Sequence, residues 1–330
     1  MADRIVIVGT RRGGSIVPAR EIVQMAGRCA RKPGEHGIAD VISDPSDVDL
    51  VTEAMIGGKG LEVASQLVNG DSIAFHLVVE IAAGRVRNNE DALRWWSRSF
   101  AAKTNKKHDM DGAWNMLVET GMITSTTDSE ATDLGRLSVD LYFHPSDIHA
   151  WKLNFSDIFE RGLETNDAAV AWAASHTRCG RNRFHTQDHE VLEMFSDQMR
   201  SLSLDNEGTV GWGLAWWAAL GGYRAKGIGI VVGDLKKDVE RYISAFKRLD
   251  QICGWGKESF FDSLRVRIKK GIPQELTNLC SISGISKGAA FELSELGVTS
   301  SDDISEKWDI ISEYGSEQLV RTLLESGFGN

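Results

Sequence analysis

No stretch of this 330-residue chain approaches the ~20 consecutive apolar residues that a membrane-spanning helix needs. The longest candidate, Leu214-Ala-Trp-Trp-Ala-Ala-Leu220, is too short and is flanked by glycines. The N-terminus carries no signal-peptide pattern. Cysteine is scarce: Cys29, Cys179, Cys253 and Cys280 are scattered, which excludes a disulfide scaffold and makes a reduced cytoplasm the expected compartment. A P-loop of the form G-x-x-x-x-G-K-[ST] is missing, since Gly57-Gly-Lys-Gly60 lacks both the upstream glycine and the hydroxyl residue. No acidic box of the DExH or DExD kind follows an apolar run. Phosphoryl transfer needs a phosphate cradle, a metal ligand and an oriented water, so no nucleotide hydrolysis is expected from this chain alone. Its carboxylates show no pairing that argues for hydrolytic acid–base chemistry. Cys179, His185 and His189 are irregularly spaced with no fourth ligand, so no metal site is expected. Gly227-Ile-Gly-Ile-Val-Val-Gly233 precedes a helix without the βαβ setting of a dinucleotide fingerprint.

What is present is an ordinary globular composition, 42% hydrophobic and 25% charged, with length for two or three modest domains. The net charge of −10 is unevenly spread. Residues 1–37 carry seven Lys/Arg against three Asp/Glu, residues 81–107 seven against two, and residues 233–270 ten against six, whereas residues 292–330 carry two against nine. Local potential within a Debye length governs polyanion binding, not the whole-chain sum. Any one basic run reads most simply as a solvated face; three of them together point towards a nucleic-acid track. The ten tryptophans include neighbours at Trp95–Trp96 and Trp216–Trp217, set among Ala and Leu as core residues are.

The segment Gln24-Met-Ala-Gly-Arg-Cys-Ala-Arg31 carries the most information. On a helix, Arg28 and Arg31 share a face one turn apart. Two guanidiniums there suit a polyphosphate, because each forks onto phosphate oxygens and keeps its charge. Upstream, Arg4-Ile-Val-Ile-Val8 reads as a buried strand entering the basic loop Gly-Thr-Arg-Arg-Gly-Gly. These segments resemble the last two motifs of superfamily-two nucleic-acid helicases, in which a glutamine-x-x-glycine-arginine-x-x-arginine helix supplies arginine fingers to ATP held in the opposite lobe. The resemblance implies that Arg28 and Arg31 act catalytically and that Gln24 and Gly27 face the nucleotide. Cys29 and Ala30 stand where the family has a small residue and a glycine.

Further along, the resemblance narrows to HelQ-type DNA repair helicases, the archaeal, Ski-two-like group. The expected fold is mainly α, with a remnant of a RecA-like α/β lobe at residues 1–45. A winged helix follows at 46–145, then a helical ratchet domain at 146–271 and a helix-hairpin-helix domain at 272–330. The strand and helix of residues 1–45 are too few to fold alone and need a sheet to lie on; Ala39-Asp-Val-Ile-Ser43 reads as another strand of it. Ile73 to Ala83 reads as a buried helix, Asn89-Glu-Asp-Ala-Leu-Arg-Trp-Trp as a capped helix start, and Trp114 to Ile123 as a helix with a glycine stop followed by a strand. The winged helix rests on Ala131-Thr-Asp-Leu-Gly-Arg and Ser138 with Tyr142 and Pro145, Ser138 falling one place early; in these helicases it mainly braces the motor. In residues 233–252, Leu235, Val239, Tyr242, Ile243, Phe246, Leu249 and Ile252 repeat at three and four, giving one apolar stripe. Lys237, Arg241, Ser244 and Arg248 form another, a candidate rail for a phosphate backbone together with Lys236. In relatives this ratchet helix sets an arginine and an aromatic against bases; Lys237 and Ser244 occupy those places here, which favours tracking by charge. Around Gly284-Ile-Ser-Lys-Gly288, the resemblance to a helix-hairpin-helix assigns Gly284, Ser286, Lys287 and Gly288 to a backbone phosphate.

The implied function is the C-terminal portion or subunit of an ATP-dependent 3′–5′ DNA helicase that guides single-stranded or forked DNA. Its ATP site would be completed by another chain, or a missing segment, carrying the P-loop and DExH box. ATP and Mg²⁺ are expected only in the complete helicase, with none bound by this chain alone. The alternatives are a non-enzymatic DNA-binding adaptor derived from a helicase, and an RNA helicase relative.

Overall fold

In the computed structural model the described residues are 3–12, 15–29, 34, 36–56, 65, 67–104, 107–177, 189–204, 210–221 and 228–329. They are mainly α-helical and divide into two compact units, residues 1–66 and 67–330.

The first unit opens with β1 (Arg4–Val8), a run of β-branched residues suited to a pleated surface. A short hairpin of β2 (Arg11–Arg12) and β3 (Ser15–Ile16) leads into α1 (Ala19–Ala26). The chain returns as β4 (Ile38–Ile42), then enters α2 (Val48–Ile56) through a 3₁₀ turn at Pro45–Asp47. β1 and β4 pair in parallel, Ile5 opposite Ala39 and Ile7 opposite Val41. Ile5, Ile7 and Val41 pack with Val17, Ile22 and Val51 into a small core. The alternate positions Val6, Val8, Ile38 and Ile42 are exposed, beside an Arg4–Asp40 pair at 2.6 Å. Parallel sheets are ordinarily covered on both faces; among the described residues of this unit, one face of the sheet is covered and the other is open.

The second unit begins with α3 (Gly70–Ala82), α4 (Asn89–Ser97), α5 (Phe100–Thr104), α6 (Met110–Glu119) and α7 (Asp133–Leu141). It continues through α8 (Pro145–Glu160), α9 (Asp167–Ser175), α10 (His189–Ser201), α11 (Val210–Gly221), α12 (Gly229–Cys253) and α13 (Glu258–Lys270). Side-chain oxygens of Asn69, Asn88, Asp109, Thr132 and Asn166 accept first-turn N–H groups and fix several of these starts. The cap of α4 is therefore Asn88, one residue before the start read from sequence; Asn89 instead accepts the Trp114 indole N–H at 3.1 Å. After α6 the expected strand is reduced to a single bridge between Ile123 and Ala131. One continuous core runs from Ile73 to Ile268 and takes in Trp96, Trp216 and Trp217.

A 3₁₀ turn at Gln274–Leu276 leads to α14 (Thr277–Ser281), α15 (Lys287–Glu295), α16 (Ser301–Glu306), α17 (Trp308–Tyr314) and α18 (Glu317–Glu325). These close over a second core, from Ile272 to Leu323. No helix among the described residues is long and apolar enough to cross a membrane.

Candidate nucleic-acid interface

In the first unit, Gln24, Gly27 and Arg28 are all exposed at the end of α1. The helix stops at Ala26, and Arg28 lies in the turn beyond it, its N–H bonded to Met25 O at 3.0 Å. Arg28 thus lies just past the last turn of α1, because the i→i−4 ladder ends before it. Arg31 lies outside the described residues. The Arg28 side chain has no ion pair or hydrogen bond among the described residues, unlike Arg11, which forks onto Asp47 at 2.6 and 2.7 Å. That fork holds the Asp47 carboxyl below the usual carboxylate range, against the opposing effect of burial. Gly27 has φ −66°, which any residue adopts, and a Cβ there would meet Val23 O at 3.4 Å and Gln24 O at 3.7 Å. The backbone gives no internal reason for glycine at that position.

In α12 the apolar stripe forms as its spacing predicts: Leu235, Val239, Tyr242, Ile243, Phe246 and Leu249 are buried, with Tyr242 and Phe246 against Trp151 and Trp216. Ile252 departs from it and is exposed in the last turn. The charged stripe is less free than its sequence suggests. Arg241 is paired with Asp238, donates to the carbonyls of Leu141 and Tyr142 at 3.3 Å each, and sits 4.3 Å above the Phe143 ring. Arg248 reaches Asp140 at 2.7 Å. Both are half-buried against the end of α7, whereas Lys237 remains 80% exposed and pairs with Asp234, and Ser244 is exposed. Every Lys and Arg of residues 233–270 except Lys236 and Lys270 lies within ion-pair distance of a carboxylate.

Those two exceptions meet the hairpin. Lys287, the first residue of α15, donates to Gly271 O, and Lys270 donates to Cys280 O. A Cβ on Gly271 would lie 3.0 Å from Lys236 Nζ and 3.8 Å from Lys287 Nζ. Burial pulls the Lys236 ammonium below its ordinary range, and the charge of Lys287 adds to this. Two lysines predicted from separate segments are therefore brought to one place, at the carbonyl end of α13, and no carboxylate compensates either among the described residues. The partial negative charge of a helix C-terminus favours cations there, but a second cation beside the first invites an anion. Lys270 belongs to the same cluster and was not distinguished in the sequence from its paired neighbours.

The hairpin itself places Gly284 at φ +87°, in the left-handed region that glycine tolerates. Ser286 caps α15 by accepting the Ala289 N–H at 3.2 Å, which explains a serine at that point. Gly288 has open space, with Ser286 Oγ 3.9 Å from where its Cβ would be. Cys179 and His185 lie outside the described residues, and no metal-ligating cluster with His189 or any other group occurs among the described ones.

No protein-family model matches the chain. Among curated proteins, it is 24% identical over 320 residues to the ATP-dependent DNA helicase Hel308 of Thermoplasma acidophilum, a match covering 92% of this chain and 46% of that protein. The Hel308 of Caldivirga maquilingensis is 27% identical over 176 residues, covering 48% of this chain and 23% of that protein. That of Thermoplasma volcanium is 23% identical over 290 residues, covering 84% and 42%. The chain thus spans less than half the length of the curated relatives it matches. This likeness supports a relationship to the superfamily-two helicases over most of the chain.

Proposed function

We propose that this chain is the DNA-guiding, C-terminal portion of a HelQ-type 3′–5′ DNA helicase. The observation that carries this reading is the convergence of Lys236 and Lys287, reached from two elements some fifty residues apart, on one cationic point that no carboxylate among the described residues compensates. A backbone phosphate supplies the missing negative charge, and such contacts hold a strand without reading its sequence. Lys237 extends the cationic surface along α12. In this reading residues 46–145 form a winged helix that braces the motor, and Gly284 to Gly288 form a helix-hairpin-helix turn.

The nucleotide side of the function rests on the first unit. Arg28 is exposed and has no partner among the described residues, and Gln24 and Gly27 are exposed near it. These residues fit a polyphosphate approaching from outside: a fixed cation, an amide side chain, and a glycine that leaves room. ATP with Mg²⁺, held by a P-loop and DExH box on another lobe, supplies the free energy of strand movement. Arg28 and Arg31 hold phosphate charge, while Gln24 and Gly27 orient and admit the nucleotide. The apolar face of Val6, Val8, Ile38 and Ile42, open among the described residues, supports a sheet completed by further strands or helices of its own RecA-like lobe.

Fluorescence anisotropy with a labelled single-stranded oligonucleotide, a matched duplex and a matched RNA tests the DNA reading. Preference for single-stranded DNA, lost on Lys236→Glu with Lys287→Glu, is the expected result. Equal binding by the variant removes the lysine point from the path. Tighter RNA binding redirects the reading to an RNA-processing relative.

A further inference from the structure

Among the described residues, three non-glycine positions have positive φ: Asp128, Tyr142 and Ser203. Small polar residues tolerate that region; a bulky tyrosine does so at a cost. Tyr142 (φ 56°, ψ 45°) ends α7, with its N–H to Val139 O and the Phe143 N–H to Ser138 O at 3.1 Å. Glycine is the usual residue in this kind of helix ending, so termination of α7 does not explain a large ring there.

The ring is 64% exposed yet held. One side meets Phe75 edge-on at 4.8 Å, and Phe75 in turn stacks on His144 at 5.7 Å with planes 15° apart. The backbone beneath is fastened from α12: Arg241 donates to the carbonyls of Leu141 and Tyr142, and Arg248 pairs with Asp140. The two arginines of the charged stripe therefore fix the end of α7 and the backbone that carries the tyrosine ring. Lys237, one turn before Arg241, and Ser244, one turn after it, stay exposed on the same side of α12. An exposed, braced aromatic on an element fastened to a helix with exposed cationic charge suits unpaired bases that stack while phosphates follow the positive side chains.

We infer that Tyr142 is a stacking platform for one base of single-stranded DNA, an inference that rests on the DNA-guiding reading. The base lies on the open face of the phenol ring, and the adjoining phosphate falls to Lys237, whose surface pair with Asp234 is weak enough to exchange. The hydroxyl is not required for this.

The test compares the full chain with Tyr142→Phe and Tyr142→Gly, using a fluorescent oligodeoxythymidylate and an abasic strand of equal length. Tyr142→Gly removes the ring while suiting the positive φ, so the fold is retained; circular dichroism checks this. Tyr142→Gly should weaken oligodeoxythymidylate binding roughly tenfold, and Tyr142→Phe by less than about twofold. On the abasic strand the three proteins should bind alike, because no base remains to stack. Equal weakening on both strands overturns the platform and makes the ring structural. Unchanged binding by Tyr142→Gly, with loss on Lys236→Glu and Lys287→Glu, also overturns it while leaving the DNA reading intact. No DNA binding by the unaltered chain sinks both.

Discussion

Among the described residues, Arg267 is the most completely buried cation of the second unit, with its side chain 3% exposed. It donates to Asp167 at 2.5 Å and to Leu220 O at 3.0 Å, joining α13 to α9 and to the end of α11. Truncation leaves the Asp167 carboxylate without its partner, so Arg267→Ala should cost about 3 kcal/mol in urea unfolding, the low end for breaking a buried pair because Asp167 keeps some water. Asp47 makes a different prediction. Its folded-state pKa lies below the ordinary 3.8, so its contribution to stability is present above that pH and is lost as pH falls through the lowered value. Hydrogen exchange in β4 should therefore accelerate in acid below about pH 3.8, and Asp47→Asn should flatten that dependence. Gly27→Ala separates structure from function. It should change stability by less than ~0.5 kcal/mol, since space and φ both allow alanine. It should reduce DNA-stimulated ATPase in a mixture with a partner carrying the P-loop and DExH box. A full rate with Gly27→Ala would take Gly27 out of the nucleotide's path.

At the scale of elements, α12 shows what a sequence displays and what it withholds. The apolar stripe from Leu235 to Leu249 was legible because burial follows the helical period, and the helix itself supplies that period. The fate of the charged stripe was not legible, because its partners are remote in sequence: Arg248 pairs with Asp140, over a hundred residues away. The same holds for Lys236 and Lys287, whose proximity depends on how α13 ends at Gly271. Ile123 to Ala131 failed as a strand for a related reason, since β-branched residues propose a strand but only a partner ladder makes one. The charged stripe therefore divides. Charge reversal at Lys237 should weaken DNA binding more than reversal at Arg248, whose charge is already engaged, with both read by anisotropy at one salt concentration. Arg248→Ala should cost no more than ~1 kcal/mol in stability, as half-exposed pairs do.

For the whole molecule, the acidic sum of −10 and the proposed polyanion ligand are compatible because charge is unevenly spread: residues 233–270 carry ten Lys/Arg against six Asp/Glu, and Lys236 and Lys287 meet at Gly271 with no carboxylate partner among the described residues. The division into units 1–66 and 67–330 predicts separable roles. Residues 67–330 alone should bind DNA as the full chain does, and neither should hydrolyse ATP; turnover by the pure chain would contradict the absence of a phosphate cradle. The salt dependence of single-stranded DNA binding bears most directly on the central claim. Each phosphate held on a single strand contributes about 0.7 to the slope of log K against log salt. The account predicts a steep negative slope for the full chain, shallower by roughly 1.4 when Lys236 and Lys287 are both replaced by glutamine. An identical slope in the two proteins would contradict it.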